Sequence, residues 1–212
     1  MIHLHDIDVL LKLAACGLLE ELVVLLEVGD DEVRILGTAI HKIRQLGRRA
    51  TYSVEVVAQA VAFCERHATL PDATDSSAFE QLVALGEGMD VGEAVLYSVA
   101  CAHPDSLIVS GDKRAMVSLG RLPPGDNLLQ RLHGRVICFE ELLFRYWERH
   151  GFDRLRDRCC QGLYADGVLK LCFRGGLATL AEDASTGLRS FWSQAYLDTG
   201  GILVKRTHFP DR

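Results

Sequence analysis

The chain has 212 residues, enough for one substantial domain or a domain with an appendage. Hydrophobic content of 49% against 25% charged residues fits a globular fold, and no apolar run reaches the roughly 18 to 20 residues needed to cross a bilayer. The formal charge of −6 is uneven: residues 151–212 hold nine Lys/Arg against seven Asp/Glu, net +2, which leaves −8 for residues 1–150 and argues against a broad basic nucleic-acid-binding face.

MIHLHDID carries neither the basic region nor the apolar core of a signal peptide, so no export is expected. IHLHDIDVLL predicts a short first strand around Asp6, with His3 and His5 on one face, read as a surface or edge pair rather than a metal pair. Helical spacing from Leu10 to Glu27 predicts a helix stopped by Gly29, Asp30 and Asp31. Lys12, Gly17, Glu20 and Glu21 interrupt its apolar run. EVRILGTAI predicts a second strand and HKIRQLGRR a short basic helix. Ser53 caps the next helix, SVEVVAQAVAFCERHA, whose Val54, Val57, Ala58 and Val61 share a face. PDATDSS reads as a loop. SAFEQLVALGEG is helical, and Asp90 opens another helix that runs to about Ala102. SLIVS is an unbroken apolar run of the kind buried on both faces of a parallel sheet. KRAMVSLG is helical, LPPGDN is a turn, and GRVICFE is a last strand leading into the helix ELLFRYWERHG.

Strands alternating with helices predict an α/β domain over residues 1–148, with a mainly parallel central sheet covered on both sides in three α/β/α layers. From 149 to 212 the alternation fades into a mainly helical extension, too short to fold comfortably alone and expected to pack on the main domain or on a partner. The seven cysteines match no zinc spacing, and Cys159 and Cys160 are adjacent. Buried free thiols in a reducing cytoplasm are the reading.

Ligands of parallel sheets gather outside the carboxyl ends of the strands. Asp6 closes the first strand and Asp112 lies just past SLIVS, so the two share an address in the fold. In order, DIDVLLKLAACGLLEEL, DVGEAVLYSVA and LIVSGDKRA resemble the motifs of the PIN-domain family of metal-dependent ribonucleases, which includes the toxins of many bacterial toxin–antitoxin pairs. The resemblance covers roughly residues 2–145. It implies Asp6, Glu93 and Asp112 as catalytic acids, with Asp90 as an auxiliary at the rim of a site for Mg²⁺ or Mn²⁺. The implied activity is that of a cytoplasmic endoribonuclease. RNA, an antitoxin or other protein partner, and a homodimer are the implied partners.

Hard cations of this type take oxygen ligands and keep several waters, so one or two carboxylates per ion suffice. Without a cation, clustered carboxylates raise one another's pKa. Ser110 is placed to orient Asp112. Where the family usually has a further acid after the second strand, this chain has Lys42, or His41, and Asp30, Asp31 and Glu32 lie before that strand, at its wrong end. That departure supports an alternative, a catalytically degenerate PIN-like module that binds a protein or RNA. A third reading is another carboxylate–metal phosphatase or DNA nuclease.

Each acid also has a plain local reading. Asp6 and Asp112 can cap helices, Asp8 suits a first helical turn, and Asp90 with Glu93 matches a capping box. Lys113 and Arg114 can touch phosphate or simply face solvent. The run RYWERHGFDRLRDR, five arginines with aromatics and three acids, reads as a solvated helix with internal ion pairs rather than a stacking surface for bases.

Overall fold

The computed structural model describes residues 1–48, 51–72 and 74–210. Five short strands form one sheet: β1 (His3–His5), β2 (Val33–Ile35), β3 (Ala68–Thr69), β4 (Leu107–Ser110) and β5 (Val136–Cys138). Every pairing is parallel, in the order β3-β2-β1-β4-β5. Helices cover both faces, giving the expected three-layer α/β/α arrangement. In chain order they are α1 (Ile7–Ala15), α2 (Leu22–Leu26), α3 (Ala39–Arg48), α4 (Val54–Arg66), α5 (Ser76–Ala84), α6 (Val91–Ala102), α7 (Lys113–Gly120), α8 (Asn127–Leu132) and α9 (Phe139–His150). Then follow α10 (Phe152–Gln161), α11 (Gly167–Cys172) and α12 (Ala181–Asp198). Among the described residues no helix is long and apolar enough to cross a membrane.

Several helices start where the sequence offers a side-chain acceptor for their unpaired N–H groups, while α2, α9, α10 and α12 have none. Ser53 Oγ accepts from Val56 N at 3.3 Å, Asp75 from Ala78 N at 2.9 Å, and Asp126 from Leu128 N at 2.8 Å. The predicted helix from Leu10 to Glu27 is instead two pieces. Gly17 adopts a left-handed φ of 64°, and a three-residue turn over Leu19–Glu21 leads into α2. The second predicted strand is also shorter than EVRILGTAI: only Val33–Ile35 pairs, and Ala39 already begins α3. The strand β3 has two residues, and both are exposed. Arg49 of the basic stretch and Ala73 of the PDATDSS loop lie outside the described residues.

His3 and His5 correct the expectation of an edge pair. They lie on the central strand and are 3% and 0% exposed. Burial pushes the His5 imidazole down to about 3, so it stays neutral.

The C-terminal region packs on the main domain. The helix α9 continues to His150, and Gly151, with φ of 85°, turns the chain into α10. Leu155, Cys159, Leu169, Phe173, Leu188 and Trp192 join the same apolar core as Leu4, Leu10 and Ile108. At Gly162 a Cβ would collide with Cys16 Sγ, which records how closely α10 approaches the end of α1. Beyond α12, Leu203 bridges in parallel to Val136, and Val204 N donates to Val136 O at 2.8 Å. Arg206 then binds Glu141 at 2.7 Å and Glu148 at 2.6 Å on α9.

Candidate functional site

The strand order reverses between β1 and β4, and parallel sheets open a crevice at the carboxyl edge of such a switch point. All strands end on this edge and the following helices begin there. Asp6 directly follows β1, with its backbone N–H tied to Val109 O at 3.0 Å, and Asp112 lies two residues beyond β4. Asp90 and Glu93 open α6, which runs back toward the start of β4. The topology therefore gathers acids that are distant in sequence. Asp6, Asp8, Asp90 and Glu93 line one cleft of about 530 Å³.

Asp6, Asp90, Glu93 and Asp112 each hold a helix end, as their local readings expect, and Asp8 lies in the first turn of α1. Asp6 Oδ1 accepts from Asp8 N at 3.2 Å, and Asp112 Oδ1 accepts from Arg114 N at 2.8 Å and Ala115 N at 3.2 Å. Asp90 and Glu93 form a reciprocal capping box, with bonds of 2.9 and 2.8 Å. Capping does not exclude a further role, because it engages one oxygen of each carboxylate. Glu93 Oε1 and Asp112 Oδ2 stand outside the caps, the latter 3.7 Å from the Arg114 guanidinium.

Ser110 joins the two strand ends. Its hydroxyl donates to Asp6 Oδ2 at 3.1 Å and accepts from Asp112 N at 3.2 Å. The serine thus orients the Asp6 carboxylate and the Asp112 backbone, not the Asp112 carboxylate as expected from the sequence.

The electrostatics place these carboxyls in one field. Burial pushes Asp6 up to about 6, helped by the charges of Asp8 and Asp112. Burial also raises Glu93, and its hydrogen bond to Asp90 with the charges of Asp90, Asp6 and Asp112 carries it to about 8. Burial would raise Asp90 too, but hydrogen bonds from Glu93 and Lys42 outweigh it and hold that carboxyl below the usual range. The buried Tyr97 hydroxyl is raised by burial and then by Asp6, Asp112 and Glu93, so it lies under the same negative charge.

Lys42 faces this cleft and His41 is exposed. The Lys42 ammonium sits 3.2 Å from Asp90 Oδ2. A cation therefore stands at the rim where an acid was sought, and its partner is the auxiliary Asp90. Arg114 also lines this cleft. Lys113 turns away to the buried Glu140 at 2.5 Å, over the Phe191 ring. Asp30–Glu32 form a turn ahead of β2, at the far end of the strand as expected. The arginine run spans two helices, α9 and α10, rather than one, with Tyr146 and Trp147 buried. Arg156 pairs with Asp153 at 3.0 Å within the run, and Arg145 with Glu141, outside it, at 3.0 Å.

Lys12, Asp166 and Tyr52 were not singled out from sequence. The Lys12 ammonium is buried beside the crevice, 2.6 Å from Asp8 and 2.9 Å from Asp166, and donates to Gly111 O at 2.9 Å. Burial opposes its charge, but the two carboxylates outweigh burial and raise its pKa. Tyr52 lines the cleft, pushed up to about 12 by burial and the Asp8 charge. A lysine inside the apolar run of α1 was the available signal, since an unpaired ammonium is not buried there.

Among the described residues no three His, Cys, Asp or Glu side chains are grouped to hold one ion. The expectation of three carboxyls around a single cation is not met in this geometry. The donor set does fit a hydrated hard cation, which takes one or two carboxylates and keeps its waters. Asp6 and Glu93 both line the cleft, while Ser110 ties the Asp6 carboxylate to the Asp112 backbone and Asp112 is not among the residues lining that cleft. No family model, no curated protein and no solved structure matches the chain.

Proposed function

We propose that this crevice handles a phosphodiester together with Mg²⁺ or Mn²⁺, and that the protein is a PIN-like endoribonuclease. The observation that carries the reading is the convergence of Asp6, Asp8, Asp90 and Glu93 on one cleft at the carboxyl edge of the sheet, where burial and neighbouring acids push the Glu93 carboxyl up. Clustered carboxylates at the edge of the sheet where ligands bind, offset only in part by Lys42 and Lys12, suit a further cation. A divalent cation bound there would activate water and offset charge on the phosphoryl group.

The chain's own residues have distinct parts in this reading. Asp6 and Asp112 would hold the cation, with Ser110 tying the Asp6 carboxylate to the Asp112 backbone. Glu93 faces the same cleft, its carboxyl raised by burial and by neighbouring acids. Lys42 and Arg114 stand at the rim, within reach of phosphate oxygens. A reducing cytoplasm suits the seven free cysteines, six of them buried.

Two observations favour a second reading. The Lys42–Asp90 ion pair and the lack of a three-acid group among the described residues fit a module that binds RNA or a protein partner, such as an antitoxin or a second copy, without turnover. Manganese titration followed by thermal shift separates the two, combined with incubation with single-stranded and structured RNA, with and without chelator. The nuclease reading expects stabilisation by Mn²⁺ that Asp6→Asn and Asp112→Asn abolish, and cleavage that chelator stops. Asn still caps a helix, so those variants keep the fold. RNA binding with no metal response and no cleavage would establish the module instead.

A further inference from the structure

A second concavity adjoins the acidic cleft and has the opposite charge. It measures about 570 Å³ and is lined by Glu87, Gly88, Lys113, Arg114, Val117 and Arg121. Arg114 belongs to both walls, so the two concavities meet at its side chain. The loop carrying Gly88 forms one side: a Cβ at Gly88 would stand 3.2 Å from Arg114 O, so this loop lies directly on α7. Two residues later the same loop delivers Asp90 to the rim of the cleft.

The charges in this groove differ in how far they are already satisfied. Lys113 is paired with Glu140 and contributes little outward charge. Arg114 has an 86% exposed side chain and only a 3.7 Å approach to Asp112. Arg121 is exposed. Seven residues of helical rise separate Arg114 from Arg121, about 10 Å. Arg121 is the residue that ends α7, so the two arginines stand at opposite ends of a helix that leads away from the acid crevice.

We propose that this groove is the track for the backbone of a single-stranded polynucleotide, with Arg114 and Arg121 contacting phosphates beyond the one held in the acid crevice. The proposal rests on the nuclease reading and adds a binding surface to it. An acidic peptide running the same course would bring its carboxylates against Asp90 and Glu93. A polynucleotide places there a phosphate that can share a divalent cation with those acids.

The test is fluorescence anisotropy with a labelled 12-nucleotide single-stranded RNA in excess chelator, so that the acid crevice offers no cation and no cleavage occurs. One phosphate contact to a single strand changes log K by about 0.7 per decade of salt, which is roughly fivefold at 0.1 M. Arg121→Ala should weaken binding by about that factor and flatten the salt dependence, and Arg121→Glu should weaken it further. Arg174→Glu, an exposed arginine in the extension, should leave both unchanged. Stabilisation by Mn²⁺ should be the same in Arg121→Glu as in the wild type, which also reports that the variant is folded. Wild-type affinity and salt slope in Arg121→Glu would overturn the groove while leaving a cleaving enzyme intact. Absence of RNA binding and cleavage in the wild type would remove both the groove and the nuclease reading. Tighter binding of a polyglutamate competitor than of RNA would assign the groove to a protein and overturn the proposal.

Discussion

The Lys12 ammonium and the Asp166 carboxylate lie 2.9 Å apart, joining a residue behind the acid crevice to the first turn of α11 in the C-terminal extension. Asp8 and the Gly111 carbonyl complete the shell, so three protons meet three acceptors inside the protein. Gly111 stands between Ser110 and Asp112, and the extension therefore reaches the loop that carries the site.

Asp166→Ala is expected to cost more than an ordinary surface change. It removes one partner of a buried ammonium and uncaps α11, whose Val168 N–H donates to Asp166 at 2.7 Å. Breaking one side of a buried pair costs about 3 kcal/mol or more, and loss of the cap adds about 1. Urea unfolding measures the sum. A loss under about 1 kcal/mol would mean that the ion pair is not held in solution.

The Glu93 carboxyl gives the fold a pH dependence with a definite sign. Its folded pKa is raised from 4.5 to about 8, so its contribution is full below 4.5 and is lost as pH rises through 8. Asp6, raised from 3.8 to about 6, acts in the same direction over a lower range. His5 opposes them: lowered from 6.5 to about 3, it withdraws stability as pH falls below 6.5. The window from 6.5 to 8 is therefore the clean one. Without divalent metal, Tm should fall across it in the wild type and stay flatter in Glu93→Gln, which keeps the capping box. Added Mn²⁺ competes with the proton, so its stabilisation should grow with pH over the same range.

The imidazole of His5 offers a test of the central strand. Both ring nitrogens are buried without a hydrogen-bond partner among the described residues, in a fully buried side chain. A buried polar group without a partner costs about 1 to 3 kcal/mol, so His5→Leu should raise stability by about 1 kcal/mol after imperfect packing. The gain should widen below pH 6.5, where the unfolded wild type binds a proton that the folded state refuses. Chemical denaturation at pH 7.5 and 5.5 reads both effects. A destabilised variant at both values would show that the ring makes contacts worth keeping.

What the sequence made legible was local. SLIVS gave β4, Ser53 and Asp90 gave helix starts, and Asp6 and Asp112 shared an address because parallel strands end on one edge. What it hid was set by distant partners. His3 and His5 read as an edge pair because alternation reports a face but not whether the strand is central. The two-residue β3 is too short to leave a pattern. Lys12 looked like an interruption in an apolar run, since its partner Asp166 lies 154 residues away in sequence, and Ser110 was matched to the wrong carboxylate for the same reason. For Lys42 the sequence supplied the residue but not its neighbour, Asp90, which only the fold reveals.

Lys42→Asp addresses that position directly. The ion pair it removes is substantially exposed, 39% and 56% for the two side chains, so little stability should be lost with it. An acid there adds a carboxylate to a cleft already lined by Asp6 and Glu93 and removes the cation at its rim. In the absence of metal the variant should be less stable than the wild type at pH 8, because one more like charge enters the crevice. With Mn²⁺ the order should reverse, and calorimetry should show roughly tenfold tighter binding, the size expected when about 1.4 kcal/mol of repulsion becomes attraction. Unchanged Mn²⁺ affinity in Lys42→Asp would mean that the crevice does not gather around a cation, and that the Lys42–Asp90 pair belongs to a surface for partners rather than to a hydrolytic site.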